Sequence, residues 1–234
     1  GIVIPCFYRG ELVGFGANTA HHLDIGAATP GLIIDIPDVF AEGMLFAGTK
    51  LYEKGVRNEG LWGFLGRNSR AAKQLQSDIE AQIASARLGV RRFEELMDRY
   101  GRDTILAATR QLMDYTERVM RQRISEIPDG EYRAEGFLDD DGKNRDVRLP
   151  IKVCVRIMGD SIQVDLTGSS DQVETGFNVP FEGSTKVGCY CAIRSLLLDA
   201  ETSEITVPSN EGSFRPIEVI APKGSIYNPK YLSR

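Results

Sequence analysis

Between residues 70 and 100 the apolar side chains Leu75, Ile79, Ile83, Ala86, Val90, Phe93 and Met97 recur at steps of three and four. That period puts them on one stripe and predicts an amphipathic helix. Asn68 or Ser69 suits its start and Gly101 its end. A second stripe follows, Ile105, Ala108, Leu112, Tyr115 and Val119, with Asp103 as the expected cap and Pro128-Asp129-Gly130 beyond its end. The short link Tyr100-Gly101-Arg102 predicts that the two helices run antiparallel as a hairpin. Its charged outer faces suit a packing element and a docking arm equally.

Elsewhere the period is two. Residues 2–8 and 12–17 read as strands joined at Arg9-Gly10-Glu11, and Gly14 and Gly16 in the second predict a close approach by another backbone or a ligand. Ile151, Val153, Val155 and Ile157 alternate with polar residues or cysteine, as do Ile162, Val164 and Leu166, with Gly159-Asp160 as the hairpin turn between them. Residues 26–60 are rich in Gly and Pro yet carry Leu32, Val39, Phe40, Leu45 and Phe46, so this long connection is expected to lie against something. Residues 184–199 read as a mainly buried helix with Val187, Tyr190, Ile193, Leu196 and Leu197. The expected fold is α+β: mixed β-sheets, a long antiparallel helical hairpin and one further buried helix. It divides into a strand-loop segment (1–69), the hairpin (70–127) and an α+β segment (128–234).

Composition changes this picture little. Hydrophobic residues make up 42% and charged residues 26% of 234 positions, ordinary for a globular protein. The net charge of −5 argues against nucleic acid or an anionic membrane as the main partner. No apolar run approaches the roughly 18 residues of a membrane-spanning helix. The chain opens inside the apolar run Ile2-Val3-Ile4-Pro5-Cys6-Phe7, from which a longer protein is expected. Cys6, Cys154, Cys189 and Cys191 lack metal-site spacing and read as free thiols of a reducing cytoplasm.

Candidate chemistry concentrates in Asn18-Thr19-Ala20-His21-His22-Leu23-Asp24-Ile25-Gly26, which holds both histidines of the chain. His21 and Asp24 offer an imidazole nitrogen and a carboxylate, suitable donors for a divalent metal. Two ligands make half a site; a hydrogen-bonded structural pair is the other reading. Asp35, Asp38 and Glu42 are further ligand candidates or solvated loop acids. Leu138-Asp139-Asp140-Asp141-Gly142 is an acidic turn, because the calcium-loop register would put Phe137 and Arg148 where carboxylates are needed. No phosphate-binding Gly-x-x-x-x-Gly-Lys-Ser/Thr loop, dinucleotide fingerprint or Gly-x-Ser-x-Gly elbow occurs.

Three stretches in series resemble the family of N-methylhydantoinase B and 5-oxoprolinase subunits, which includes the acetone and acetophenone carboxylase subunits. They are Ala20-His21-His22-Leu23-Asp24-Ile25-Gly26-Ala27-Ala28-Thr29-Pro30-Gly31; Val164-Asp165-Leu166-Thr167-Gly168-Ser169 with Asn178-Val179-Pro180; and Asn210-Glu211-Gly212-Ser213-Phe214-Arg215-Pro216 running to Pro222-Lys223-Gly224-Ser225. The resemblance implies a central part of a larger subunit. It implies a hetero-oligomer with a hydantoinase A-like subunit or domain that binds ATP, acting on a small cyclic amide or a ketone, with no nucleic acid and no membrane. It also implies a divalent metal, zinc or manganese, with His21 and Asp24 among its ligands and His22 as a neighbour. The family's upstream Asp is expected before residue 1. Its downstream His would fall near Met44-Leu45-Phe46, where this chain has none; an altered site, a substitute such as Glu42, and a lost site all remain open. Asn178 and Arg215 are candidates for phosphate or substrate contact, or for structural roles. The function implied is a subunit of an ATP-dependent cyclic-amide hydrolase. The alternatives are a subunit of an ATP-dependent ketone carboxylase, or a non-catalytic scaffold with a degenerate metal site.

Overall fold

The computed structural model describes residues 1–31, 36–198 and 207–230. Two compact units emerge, one of Gly1–Ile33 with Phe40–Ala107, the other of Ile34–Val39 with Ala108–Arg234. The mixed sheets and long helices agree with the expected α+β class.

In the first unit, β1 (Ile2–Tyr8) and β2 (Glu11–Asn18) form an antiparallel hairpin. Arg9 and Gly10 turn it with φ of 51° and 87°, the left-handed pair that a two-residue turn between right-twisted strands requires. A minimal ribbon, β3 (Tyr52–Glu53) with β4 (Val56–Arg57), leads into α1 (Glu59–Arg67). Asn58 caps α1 by accepting from the Leu61 N–H at 3.1 Å. The long helix α2 spans Ala72–Tyr100, and Gly101 ends it as expected, with φ of 85°.

The predicted stripe of α2 is buried at Leu75, Ile79, Ile83, Ala86 and Met97. Its partners, however, are β1, β2 and α1. Trp62, Leu65, Leu75, Ile79 and Ile83 form one core, joined by Ile2, Ile4, Met44 and Leu51. The stripe is thus spent on a sheet face, where an approach through glycine is available. A Cβ on Gly16 would stand 2.6 Å from the Ala86 carbonyl oxygen and 2.9 Å from Val90 Cγ2, so Gly16 is the close approach anticipated from the sequence. The start of α2 is also corrected. Asn68 closes α1 instead, and Ser69 accepts from the Ala71 N–H at 3.1 Å. α1 begins inside the stretch that reads as irregular up to residue 60.

Next comes α3 (Arg102–Ser125), then a mixed four-stranded sheet in the order β5 (Gly130–Leu138), β6 (Leu149–Met158), β7 (Ser161–Asp165) and β8 (Ile217–Ile220). β6 and β7 are the expected hairpin, turned by Gly159 at φ 63°. β8 pairs with β7 in parallel. Met120, Ile124, Ile157, Ile162, Val164, Ile217 and Val219 form the core of the second unit. α4 (Lys186–Leu197) lays Cys189, Tyr190, Ile193 and Leu197 against that core. It is covered on one side only: no residue of it is fully buried, and Val187 and Leu196 are exposed. The acidic turn holds, with Asp140 accepting from Gly142 N–H at 2.7 Å and Asp141 from Lys143 N–H at 2.9 Å. No helix among the described residues is long and apolar enough to cross a membrane, and all four cysteines are free.

Candidate functional site

The histidine loop follows β2 and is held to the entrance of α2. Asp24 is the tie. Its side chain is 1% exposed. Oδ1 accepts from the Gly26 N–H at 3.0 Å and from the Arg70 guanidinium at 3.0 Å, and Oδ2 accepts from the Arg70 N–H at 2.5 Å. The Gly26 and Arg70 amides, with the guanidinium beside them, hold the carboxyl below the usual carboxylate range. Arg70 also donates to the Ala27 and Ala28 carbonyls at 3.0 Å each, and the Ser69 hydroxyl donates to the Asp24 carbonyl at 3.0 Å. Gly26 sits at φ 89°, and a Cβ there would lie 2.7 Å from the Asn68 carbonyl oxygen. On the other side, Met44 N–H donates to the Ile25 carbonyl at 2.8 Å. Gly43 comes so near that a Cβ would be 2.4 Å from the same oxygen.

The loop so fixed presents its two histidines differently. His21 is exposed. His22 is partly buried, and its Nδ1 is enclosed without a hydrogen-bond partner. Asp24 does not share the exposure of His21. Among the described residues no group of three or more His, Cys, Asp or Glu side chains is gathered to hold a metal ion. With the Asp24 oxygens engaged by Arg70 and two amides, the side chains described do not by themselves fit a metal centre. Asp38 and Glu42 lie in the described residues and join no such group; Asp35 falls outside them.

The other two candidates lie in the second unit, in separate networks. Asn178 is buried and staples a loop: its amide donates to the Val173 and Thr175 carbonyls at 2.7 and 3.0 Å, and its oxygen accepts from the Val173 N–H at 2.8 Å. Arg215 lies between carboxylates, 2.9 Å from Asp114, 3.1 Å from Glu117 and 3.5 Å from Glu211. Its hydrogen bonds to Asp114 and then Glu117 push the guanidinium pKa further up. A cavity of about 200 Å³ opens beside it, lined by Arg121, Ser161, Arg215 and Glu218 among others. An anion there would compete with the acids already paired to Arg215. Sequence reasoning missed Arg70 and took Ser69 only as a helix cap; their ties to Asp24 span 46 and 45 positions with no local signal.

The three sequence stretches therefore occupy defined places in one fold, and the same fold and sequence recur elsewhere. The Hydantoinase B/oxoprolinase family model matches residues 1–233. The chain belongs to the hydantoinase B/oxoprolinase family. It is 47% identical over 237 residues to a protein from Pseudomonas sp. (strain NS671) named as a candidate B-type subunit of a D-/L-hydantoinase, covering 98% of this chain and 40% of that one. The crystal structure of the ATP-dependent caprolactamase from Pseudomonas jessenii superposes with a TM-score of 0.86 at 31% identity, covering 98% of this chain and 38% of that one. Nucleotide-free acetone carboxylase superposes with a TM-score of 0.84 at 21% identity, over 97% and 31% of the two chains, a likeness of fold. The chain spans about two fifths of the length of such relatives.

Proposed function

We propose that this chain is part of a B-type subunit of an ATP-dependent cyclic-amide hydrolase, working with a hydantoinase A-like subunit that binds the ATP. The observation that carries the reading is the 47% identity to the hydantoinase-named relative. The caprolactamase, a second relative named for cyclic-amide hydrolysis, is 31% identical. The chain's own chemistry supports a division of labour, because it carries no phosphate-binding loop. An unstrained amide is a poor electrophile. Transfer of the γ-phosphoryl group from ATP to its oxygen releases ADP and makes the ring carbon electrophilic; water adds there, the C–N bond breaks with the ring nitrogen leaving as an amine, and a second water hydrolyses the acyl phosphate to carboxylate and phosphate. The free thiols suit the cytoplasm.

The test is reconstitution with the ATP-binding subunit. The complex is offered hydantoins, 5-oxoproline and caprolactam, and separately acetone with bicarbonate. ATP-coupled ring opening supports the reading. Carboxylation without ring opening would replace it by the ketone carboxylase alternative, and neither reaction would leave the scaffold reading. A zinc or manganese site using His21 and Asp24 is part of the same proposal, and it requires Asp24 to exchange Arg70 for the cation. Metal content of the complex separates the roles: His21→Ala should lower it and His22→Ala should not.

A further inference from the structure

Most strands in a two-layer arrangement alternate between an apolar and a polar face. The β1–β2 hairpin does not. Its inner face, Ile2, Ile4, Cys6 and Tyr8 with Gly14 and Gly16, meets α2. Its outer face carries Val3, Pro5 and Phe7 from β1, opposite Ala17, Phe15 and Leu12 from β2. All six are apolar, and Val3 and Phe15 are each 63% exposed, Phe7 53% and Leu12 50%. The register shifts between Cys6 and Phe7. This bulge gives β2 an extra residue, Val13, and keeps Leu12 on the outer side beside Phe7. An apolar face maintained through a bulge is a face built to be covered. Among the described residues the hairpin is a sheet of two strands that packs on α2 by its inner face.

We propose that this outer face is a docking face, occupied in the complete B-type polypeptide by an apolar surface from the part that lies outside the matched segment. The relatives supply the argument for that occupant. The chain covers 40%, 38% and 37% of three of them, so well over half of such a polypeptide is available to cover it. The inference is independent of the reaction catalysed.

Thiol accessibility tests it. Phe15→Cys and, as an exposed reference on α2, Arg91→Cys are made in a Cys191→Ser background. Both are placed in the 234-residue chain and in the full-length B-type subunit carrying it. Maleimide should label both positions at comparable rates in the 234-residue chain. In the full-length subunit the thiol introduced by Phe15→Cys should react about tenfold or more slowly, as an enclosed group does. Equal rates in the full-length subunit overturn the proposal. So does protection that appears only on adding the ATP-binding subunit, or in the 234-residue chain as its concentration rises, which would assign the face to the other subunit or to a second copy. Phe7→Lys gives an independent reading: Tm unchanged in the 234-residue chain and lowered in the full-length subunit. A Tm unchanged in both also overturns it.

Discussion

Gly212 offers the sharpest test of how the second unit is assembled. It lies in the short 3₁₀ turn Glu211–Ser213, buried against α3. A Cβ there would fall 2.0 Å from the Met113 carbonyl oxygen and 2.8 Å from its carbon. Neither atom belongs to a side chain that could swing aside. Non-bonded contacts settle near 3.5 Å, so Gly212→Ala must drive the turn from the helix by on the order of 1–1.5 Å. Overpacking of this kind costs about 1–3 kcal/mol. The same shift breaks the bond at 2.9 Å from Asn210 Nδ2 to Thr116 Oγ1, adding about 0.5–1.5 kcal/mol for one lost hydrogen bond, while the Thr116 hydroxyl keeps its bond to the Leu112 carbonyl. The expected loss is roughly 1.5–4.5 kcal/mol. At roughly 2–4 °C per kcal/mol for a chain of this length, Tm should drop by about 3–18 °C. Gly188→Ala is the control: Gly188 is helical, exposed and faces open space, so alanine should raise Tm slightly through its helix propensity. Thermal denaturation followed by circular dichroism reads both. A Gly212→Ala protein melting within about 2 °C of wild type would refute the argued contact.

Ile83 is 5% exposed in the core between α2, α1 and the hairpin; Ile83→Asp should cost several kcal/mol as an unpaired buried charge, and an unchanged melting curve would reject that packing. Glu117 accepts hydrogen bonds from Arg121 and then Arg215, which depress its pKa. Its contribution to stability is therefore complete above the unfolded value of about 4.3 and disappears as pH falls through the lower folded value. Glu117→Gln should flatten the acid side of the stability profile below about pH 4.5 and leave the neutral range unchanged in slope; an acid limb as steep as wild type would contradict it. Asp24→Asn puts an amide where two backbone N–H groups and a guanidinium now donate, so hydrogen exchange at Arg70 and Gly26 should accelerate. Protection equal to wild type at both amides would show that the tie is not carried by that carboxylate.

What the sequence discloses follows the range of the interactions. The α2 stripe, its stop at Gly101, the Arg9-Gly10 and Gly159-Asp160 turns and the acidic Asp140–Asp141 turn are legible because each is settled within a few residues. Helix α1 is obscured because Gly60, Gly63 and Gly66 interrupt the signal from Leu61, Trp62 and Leu65, three residues whose burial outweighs glycine's low propensity. The partner of the α2 stripe is not legible at all. Periodicity reports that a face is apolar but not what it meets, and the close approach that Gly16 announces does not name the helix as its partner. The parallel pairing of β7 with β8 joins residues 55 positions apart, Gln163 with Glu218 among them, and no local pattern encodes it. Of the candidate site, the loop is legible and its clamp is not.

That clamp bears on how the histidine motif should be understood. A short motif of His, Asp and Gly can mean metal ligation, or it can mean a loop that must be built from those residue types. In this chain the second requirement is met in detail. Asp24 takes the Arg70 amide at the entrance of α2 and neutralises its guanidinium, Gly26 adopts a conformation and a proximity to Asn68 that a side chain would prevent, and Gly43 closes on Ile25 from the other side. Each of these contacts removes freedom from the segment 24–26 and none of them uses a histidine. His21 is left exposed immediately before a fixed anchor, while Nδ1 of His22 is enclosed and unpaired at a cost that a buried polar atom normally avoids. The two histidines are therefore the part of the motif that the loop's own architecture does not explain. The clamp holds the segment, and His21 is the side chain it offers outward, so substitution of His21 should change what the assembled subunit binds or does while leaving the fold of this unit intact. Asp24 is the reverse case. Its removal should first loosen the entrance of α2, and any effect on activity would have to be separated from that loss by comparing Arg70→Lys, which retains the backbone donor to Asp24 while weakening the charge pair and the bonds to the Ala27 and Ala28 carbonyls.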